Sequence, residues 1–270
     1  MHPRSSFWRD PALPFIEARR VDDGRCHGHA AHSHETFSIG AVTAGRSSYL
    51  NLRQRHGIGA GTVVLMNPGD LHACNPVAGQ GWAYVMLYLD VAWLRARQHE
   101  GGLPEGRGWQ PLALTHSREP WLYQAVLGAF AALSGPALCS LGREERLTEW
   151  ASAVQQRLQG FAVAPVRDDR RLRRAQEFIH AHSEQPLSLQ RISEVAGLSP
   201  SQLVRSFKQR FGFTPHEFLV NRRVQVARLH LRSGASIASA AQAAGFADQA
   251  HLQRTFKRHL AATPGHYRNR

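Results

Sequence analysis

Lysine is nearly missing from this chain. Of 33 basic residues only Lys208 and Lys257 are lysines and the rest are arginines, a bias that speaks of coding-sequence composition more than of mechanism. Cysteine is scarce too. Cys26, Cys74 and Cys139 make an odd, sparse set, which argues against a disulfide framework and fits a reducing compartment. No apolar run approaches the roughly 18 residues of a membrane span. Met1 to Asp10 lacks the apolar stretch of a secretory signal. These absences lead us to expect a soluble, cytoplasmic protein with no membrane partner.

Positive charge is abundant but uneven. From Arg167 onward there are 18 Lys and Arg against 7 Asp and Glu, so a net +11 of the chain's +13 falls in its last hundred or so residues. Simple solubility would not concentrate the excess there, whereas a polyanion-binding module would.

The same segment contains a repeat. Ser188-Leu189, Ile192, Val195-Ala196-Gly197-Leu198-Ser199, Leu203, Phe207-Lys208, Thr214-Pro215 and Phe218 are echoed by Ser236-Ile237, Ala240, Ala244-Gly245-Phe246, Leu252, Phe256-Lys257, Thr263-Pro264 and Tyr267. Each copy reads as a short capped helix, a turn at glycine and a second helix, the helix-turn-helix that seats a helix in the DNA major groove. The first copy takes ten steps from Gly197 to Phe207 and the second eleven from Gly245 to Phe256, so the second turn should be one residue longer. Pro215 to Leu231 reads as one long helix spacing two reading heads about one DNA turn apart.

In the second helix of the first copy, Leu203, Phe207 and Phe211 form the inward stripe. This leaves Ser201, Gln202, Arg205, Lys208 and Gln209 outward, with Val204 on the flank. The second copy buries Leu252, Phe256 and Leu260. It presents Gln249, Ala250, His251, Arg254, Lys257 and Arg258, with Gln253 at the edge. Arginine reads guanine edges, glutamine reads adenine, and lysine mostly meets phosphate. The bland alternative is a solvated polar face.

Gly245-Phe246-Ala247-Asp248-Gln249, Arg254-Thr255-Phe256-Lys257 and Thr263-Pro264-Gly265-His266-Tyr267-Arg268 resemble the signature of the AraC/XylS family of transcriptional regulators. The resemblance covers about residues 170 to 268. It implies a seven-helix domain on an asymmetric duplex site, usually activating transcription beside RNA polymerase, and a homodimer. The small Ala240, Ala241 and Ala244 depart from the family's larger residues and suggest softer packing of the second copy.

Upstream, Phe37 to Val42, Thr62 to Met66 and Tyr84 to Leu89 are short apolar runs set between Gly and Pro, which read as strands of a barrel or sandwich. Apolar stripes at Trp121 to Leu133 and Leu141 to Leu158 read as two helices, packed on the strands or across a dimer. The expected class is α+β: a cupin-like β-barrel with flanking helices over residues 1–160, a linker at 161–169, and an all-α double helix-turn-helix domain over 170–270.

His32-Ser33-His34 and the later Pro68-Gly69-Asp70-Leu71-His72 resemble the two halves of a cupin barrel, which AraC-type regulators commonly carry as effector-binding domain. On a strand His32 and His34 share one face, and with His72 they offer three nitrogen ligands. No cofactor is required by this reading, but a metal ion at His32, His34 and His72 stays open, with Cys26, His27 and His29 enlarging the cluster. The alternatives are an unknown small-molecule effector lined by His32, His34, His72, Glu35 and Tyr49, or structural histidines. Asp70 and Asn75 are further lining candidates, and Arg46, Arg53 and Arg55 would suit an anionic effector. Ser38 and Ile39 stand where the catalytic cupin pattern wants glutamate, so an enzyme is not expected. We therefore expect an effector-responsive regulator on double-stranded DNA. The competing readings are a metal-dependent cupin enzyme or metal sensor fused to a DNA-binding domain, and a constitutive architectural DNA binder.

Overall fold

One fifteen-residue strand, Phe37–Asn51, serves two sheets, because a glycine lets it change direction. The computed structural model describes residues 5–24, 29–77, 80–103, 108–158 and 169–268. Its strands are β1 (Ser5–Trp8), β2 (Ile16–Val21), β3 (Phe37–Asn51), β4 (Gln54–Gly59), β5 (Val63–Met66), β6 (His72–Pro76), β7 (Trp82–Leu89) and β8 (His116–Ser117). The first half of β3 lies between β5 and β7 in the order β1-β2-β7-β3-β5-β8, and its second half pairs with β4 and β6. Gly45 sits at the switch with φ +72°, and a Cβ there would lie 1.9 Å from the Gly81 carbonyl oxygen. Only glycine tolerates both the angle and the approach. Among the described residues the strand path does not close on itself, so the expected barrel is an open, antiparallel, cupin-like structure.

Helices α1 (Val91–Glu100), α2 (Pro120–Ser134) and α3 (Ser140–Leu158) flank the sheet. Helix α2 covers β3, β5 and β7, and α3 packs on α1 and α2. Phe37 to Val42 are consequently buried on both strand faces and lose the usual alternation. Leu122, Val126, Leu133, Leu147 and Val154 join Ile39, Leu65 and Leu87 in one core, so both sequence stripes face inward.

Seven helices follow: α4 (Arg170–His182), α5 (Leu189–Ala196), α6 (Pro200–Phe211), α7 (Pro215–Arg232), α8 (Ile237–Ala243), α9 (Gln249–Leu260) and α10 (Pro264–Arg268). Residues 161–168 of the expected linker lie outside the described residues; Asp169 caps α4 by accepting from the Arg171 amide. Ser188 caps α5, Gly197 turns the chain at φ +66°, and Ser199 with Gln202 forms a capping box at α6. In the second copy Ala244 ends α8 and Asp248 caps α9. Two residues separate Ala196 from Ser199 and three separate Ala244 from Asp248, which is the extra step seen in the sequence. Leu203, Phe207, Leu252 and Phe256 are fully buried, whereas Phe211 is only half-buried.

The two halves share their cores. Phe7 of β1 joins Ala240, Ala241 and Ala244 in the core of the second helix-turn-helix and meets the Tyr267 ring edge-on at 5.1 Å. The small alanines are therefore fully packed, with an aromatic ring from the sheet domain completing their cluster. Leu71 enters the core of the first copy in the same way.

Tyr267 also meets Glu17, which is 2 % exposed. Its carboxylate accepts from Arg9 Nε at 2.7 Å, Arg228 at 3.1 Å and the Tyr267 hydroxyl at 2.9 Å. Burial works to raise the Glu17 carboxyl, but Arg228 and Arg9 overcome it and hold its pKa below the ordinary glutamate value. Arg19 adds a bond of 2.8 Å to the Leu260 carbonyl.

Phe207→Ala should cost about 3–5 kcal/mol by cavity formation, while Lys208→Ala on the same helix should stay within about 0.5 kcal/mol; urea unfolding distinguishes them. Glu17→Gln leaves two buried guanidiniums uncompensated and should cost about 3–5 kcal/mol. Because the folded pKa of Glu17 is depressed, its contribution is present above the unfolded value of about 4.3 and lost as pH falls further. Unfolding midpoints of the wild type should thus show an acid-dependent drop that Glu17→Gln diminishes.

Candidate functional site

Two capped helices present the candidate nucleic-acid surface. On α6, Ser201, Gln202, Arg205, Lys208 and Gln209 are exposed and Val204 is half-buried. On α9, Gln249, Ala250, Gln253, Arg254, Lys257 and Arg258 are exposed. His251 is half-buried, with its ring edge-on to Phe246 at 5.2 Å. Gln202 is engaged elsewhere: its amide oxygen accepts from the Ser199 backbone, which leaves only its NH2 for a base. Arg205 and Lys208 sit three residues apart on one face, and Arg254 and Lys257 repeat that geometry on α9. Helix α7 between them has 18 residues, a rod of about 27 Å at 1.5 Å per residue.

The sheet domain reaches this surface. Leu52 and Arg53, at the β3–β4 turn, stand with Leu71 across a cleft from Ser201, Val204, Arg205 and Lys208. The Arg53 guanidinium donates to the Gln209 carbonyl. Arg53 therefore braces α6 and does not face an effector cavity.

Inside the sheet domain His32, His34 and His72 converge, with one ring nitrogen from each within 4.8 Å of the others. His32 precedes β3 and is joined to His72 of β6 by paired backbone bonds of 2.9 and 2.8 Å, which sets the rings side by side. Each ring has its Nδ1 on a backbone carbonyl: His32 on Ala30 at 2.8 Å, His34 on Thr36 at 3.1 Å and His72 on Asp70 at 2.8 Å. A carbonyl can only accept, so the protons sit on Nδ1 and the lone pairs on Nε2. Burial and the neighbouring imidazoles keep His32 and His34 well below the ordinary histidine value, and burial lowers His72 to about 4. The cluster is neutral at physiological pH. Ser38 occupies the place of the missing glutamate, its hydroxyl 3.3 Å from His34 Nδ1 and 3.4 Å from Nε2.

The cavity beside these rings is about 40 Å³ and is also lined by His29, Met66, Cys74, Met86 and Tyr88. That is room for an ion and one or two waters, far below the roughly 300 Å³ of an ordinary small-molecule site. Burial pushes the Cys74 thiol up to about 12, so it stays protonated. Not every expected lining residue is present. Glu35 turns outward to Arg222 and His180. The Tyr49 hydroxyl donates to the Leu65 carbonyl at 2.8 Å, away from the cavity. Asn75 accepts from the His29 amide, and Asp70 pairs with Asn67. Neither Arg46 nor Arg55 lines the cavity. Cys26 and His27 lie outside the described residues.

Sequence reasoning missed the β7 side of the cavity. Period two along that strand puts Trp82, Tyr84, Met86 and Tyr88 on the cavity side, whereas Val85, Leu87 and Leu89 join the core that includes α2. It also missed His259 of α9, 6 % exposed, whose ring lies 6.3 Å from that of His32.

Comparison with known proteins finds two family matches in the chain. Residues 17–151 match the AraC-like ligand binding domain family and residues 192–270 a helix-turn-helix domain family. Over 248 residues the chain is 26% identical to the uncharacterized HTH-type transcriptional regulator YbfI of Bacillus subtilis (strain 168), spanning 90% of this chain and 87% of that one. It is 31% identical to the HTH-type transcriptional regulator MtrA of Neisseria gonorrhoeae over 101 residues, 37% of this chain and 34% of MtrA. In fold it is similar to an apo form of ToxT, a point variant from Vibrio cholerae strain SCE256, with a TM-score of 0.61 at 12% identity over 100% of this chain and 97% of that one. Wild-type ToxT bound to an unsaturated fatty acid gives a TM-score of 0.60 at 13% identity over 89% of each chain. A matched ligand-binding domain, a matched helix-turn-helix domain and a full-length regulator relative together place the chain in the AraC family of transcriptional regulators, as a DNA-binding protein that carries a small-molecule-binding domain.

Proposed function

We propose that this regulator reads an asymmetric duplex site with α6 and α9 in successive major-groove faces, and that occupancy of the histidine-lined cavity controls the reading. The observation that carries this is the repeated Arg–Lys face: Arg205 with Lys208 and Arg254 with Lys257, at equivalent positions of two capped helices joined by one rod. Arg205 and Arg254 are the base-reading residues, and Lys208 and Lys257 hold phosphate. Ser201, Gln209, Gln249, Ala250 and Gln253 complete the two surfaces. The bond from Arg53 to the Gln209 carbonyl of α6 supports a sheet domain that acts directly on the first head.

The working assembly is a homodimer that acts as an activator beside RNA polymerase in the cytoplasm. The N-terminal domain serves as a sensor and not as an enzyme; Ser38 in the glutamate position supports that assignment. ToxT takes an unsaturated fatty acid, whereas the 40 Å³ cavity here favours a far smaller occupant.

Binding-site selection from a random duplex pool tests the assignment. Arg205→Ala and Arg254→Ala should each lose about 1–3 kcal/mol, roughly five- to 150-fold, and relax base preference at separate positions of the site. Lys257→Ala should weaken all sequences alike and lower the salt slope by about one. Base preference unchanged in both arginine variants would overturn the proposed contacts.

A further inference from the structure

We propose that His32, His34 and His72 bind a divalent transition-metal ion, and that this ion is the signal transmitted to the DNA-binding helices. The proposal rests on the regulator reading above and names its ligand class and its route.

The donor set fits such an ion. Three ring nitrogens lie within 4.8 Å of one another. Nitrogens at about 2.0–2.1 Å from a tetrahedral ion stand about 3.3 Å apart, so closure by about 1.5 Å suffices. All three Nδ1–H groups are committed to backbone carbonyls, which orients the rings and leaves Nε2 for the metal. An all-imidazole set suits zinc, cobalt, nickel or copper and does not suit magnesium or calcium. The small cavity leaves room for a water at an open fourth position.

The route lies in the residues next to the ligands. Between His32 and His34 stands Ser33, buried against α7. Its amide donates to Asn221 Oδ1 at 3.1 Å, Asn221 Nδ2 donates to its hydroxyl at 3.1 Å, and Gln225 donates to its carbonyl at 3.0 Å. Immediately before His72 stands Leu71, in the core of the first helix-turn-helix, so close to Gly212 that a Cβ there would lie 2.4 Å from it. Ala30 donates its amide to the Arg258 carbonyl at 3.0 Å, and His29 bonds to the His259 carbonyl at 3.1 Å, both at the end of α9. The segment from His29 to His34 thus touches the connecting rod and the second head, while Leu71 touches the first. Drawing the three rings onto one ion fixes these anchors relative to one another. The two heads are then preorganised and DNA affinity rises.

The test uses the full chain without a histidine tag, stripped by chelator. Titration with Co(II) should give the visible absorption of a four-coordinate site at one ion per chain, reversed by Zn(II). His34→Ala and His72→Ala should bind Co(II) about 100-fold or more weakly, with urea unfolding in chelator reporting whether they remain folded. Asn221→Ala should bind Co(II) like the wild type. On a duplex obtained by selection, Zn(II) should tighten wild-type binding about tenfold or more, by an amount absent in His34→Ala and reduced in Asn221→Ala. A Co(II) spectrum that is absent, or unchanged in folded His34→Ala, overturns the site. DNA affinity that is unchanged or lowered by Zn(II) overturns the signal role and leaves the regulator intact. Failure to select any duplex would count against the regulator reading instead, and the Co(II) titration would still decide the metal site.

Discussion

A single buried carboxylate, Glu17, governs how the two halves of this regulator meet. A carboxylate in a protein interior is costly unless its charge and lone pairs are satisfied. Glu17 is satisfied by Arg9 of its own domain and by Arg228 and Tyr267 of the other. Separating the halves would strip it of two partners and return it and Arg228 to water. Within the docked arrangement, each of these charges depends on a partner from the other domain, so the pair fixes the geometry of the contact. The apolar contribution comes from Phe7, which enters the core of the second helix-turn-helix, and from Leu71, which enters that of the first.

An interface of this kind suits a switch. Its polar anchors are specific in geometry, and its apolar anchors are single side chains, so an alternative arrangement need not expose a large hydrophobic face. The histidine cluster stands inside that interface and not at the far side of the sheet. Ser33 and Leu71 alternate with His32, His34 and His72 along their segments, so the pleat of an extended chain points the imidazoles one way and the docking contacts the other. In the proposed signal route, sensor and transmitter are the same few residues.

The helical half was largely legible in the sequence, for identifiable reasons. Its helices are delimited by local chemistry: Ser188, Ser199, Ser236 and Asp248 as caps, glycines at the turns, prolines at the first helical positions. The one-residue difference between the copies was visible as a difference in spacing. The seven-helix count followed from the family resemblance. The sheet half was legible only in outline. Its strands were recognisable by composition, but the open path depends on Gly45 and on β3 dividing between two sheets, a long-range pairing with no local signature. Strand β1 and helix α1 escaped notice because β1 is only four residues long and α1 has no continuous apolar stripe, burying only Leu94 and Gln98. The interface was invisible: Glu17, Arg19 and Arg228 look like ordinary solvated charges until the fold brings them together. At the candidate site, the three histidines were picked out by motif. Glu35 was misplaced because adjacency in sequence says nothing about which way a short segment turns, and Arg222 draws it outward.

Strand β1 and helix α10 have one more consequence. Phe7 rests against Tyr267, and Ser5 meets His266 across 261 positions of sequence. The first strand of the sheet domain thus holds the last described helix of the other half, beside the Glu17 cluster. A single break in the backbone between the two domains would leave these contacts in place, and so would not by itself liberate an independent DNA-reading fragment.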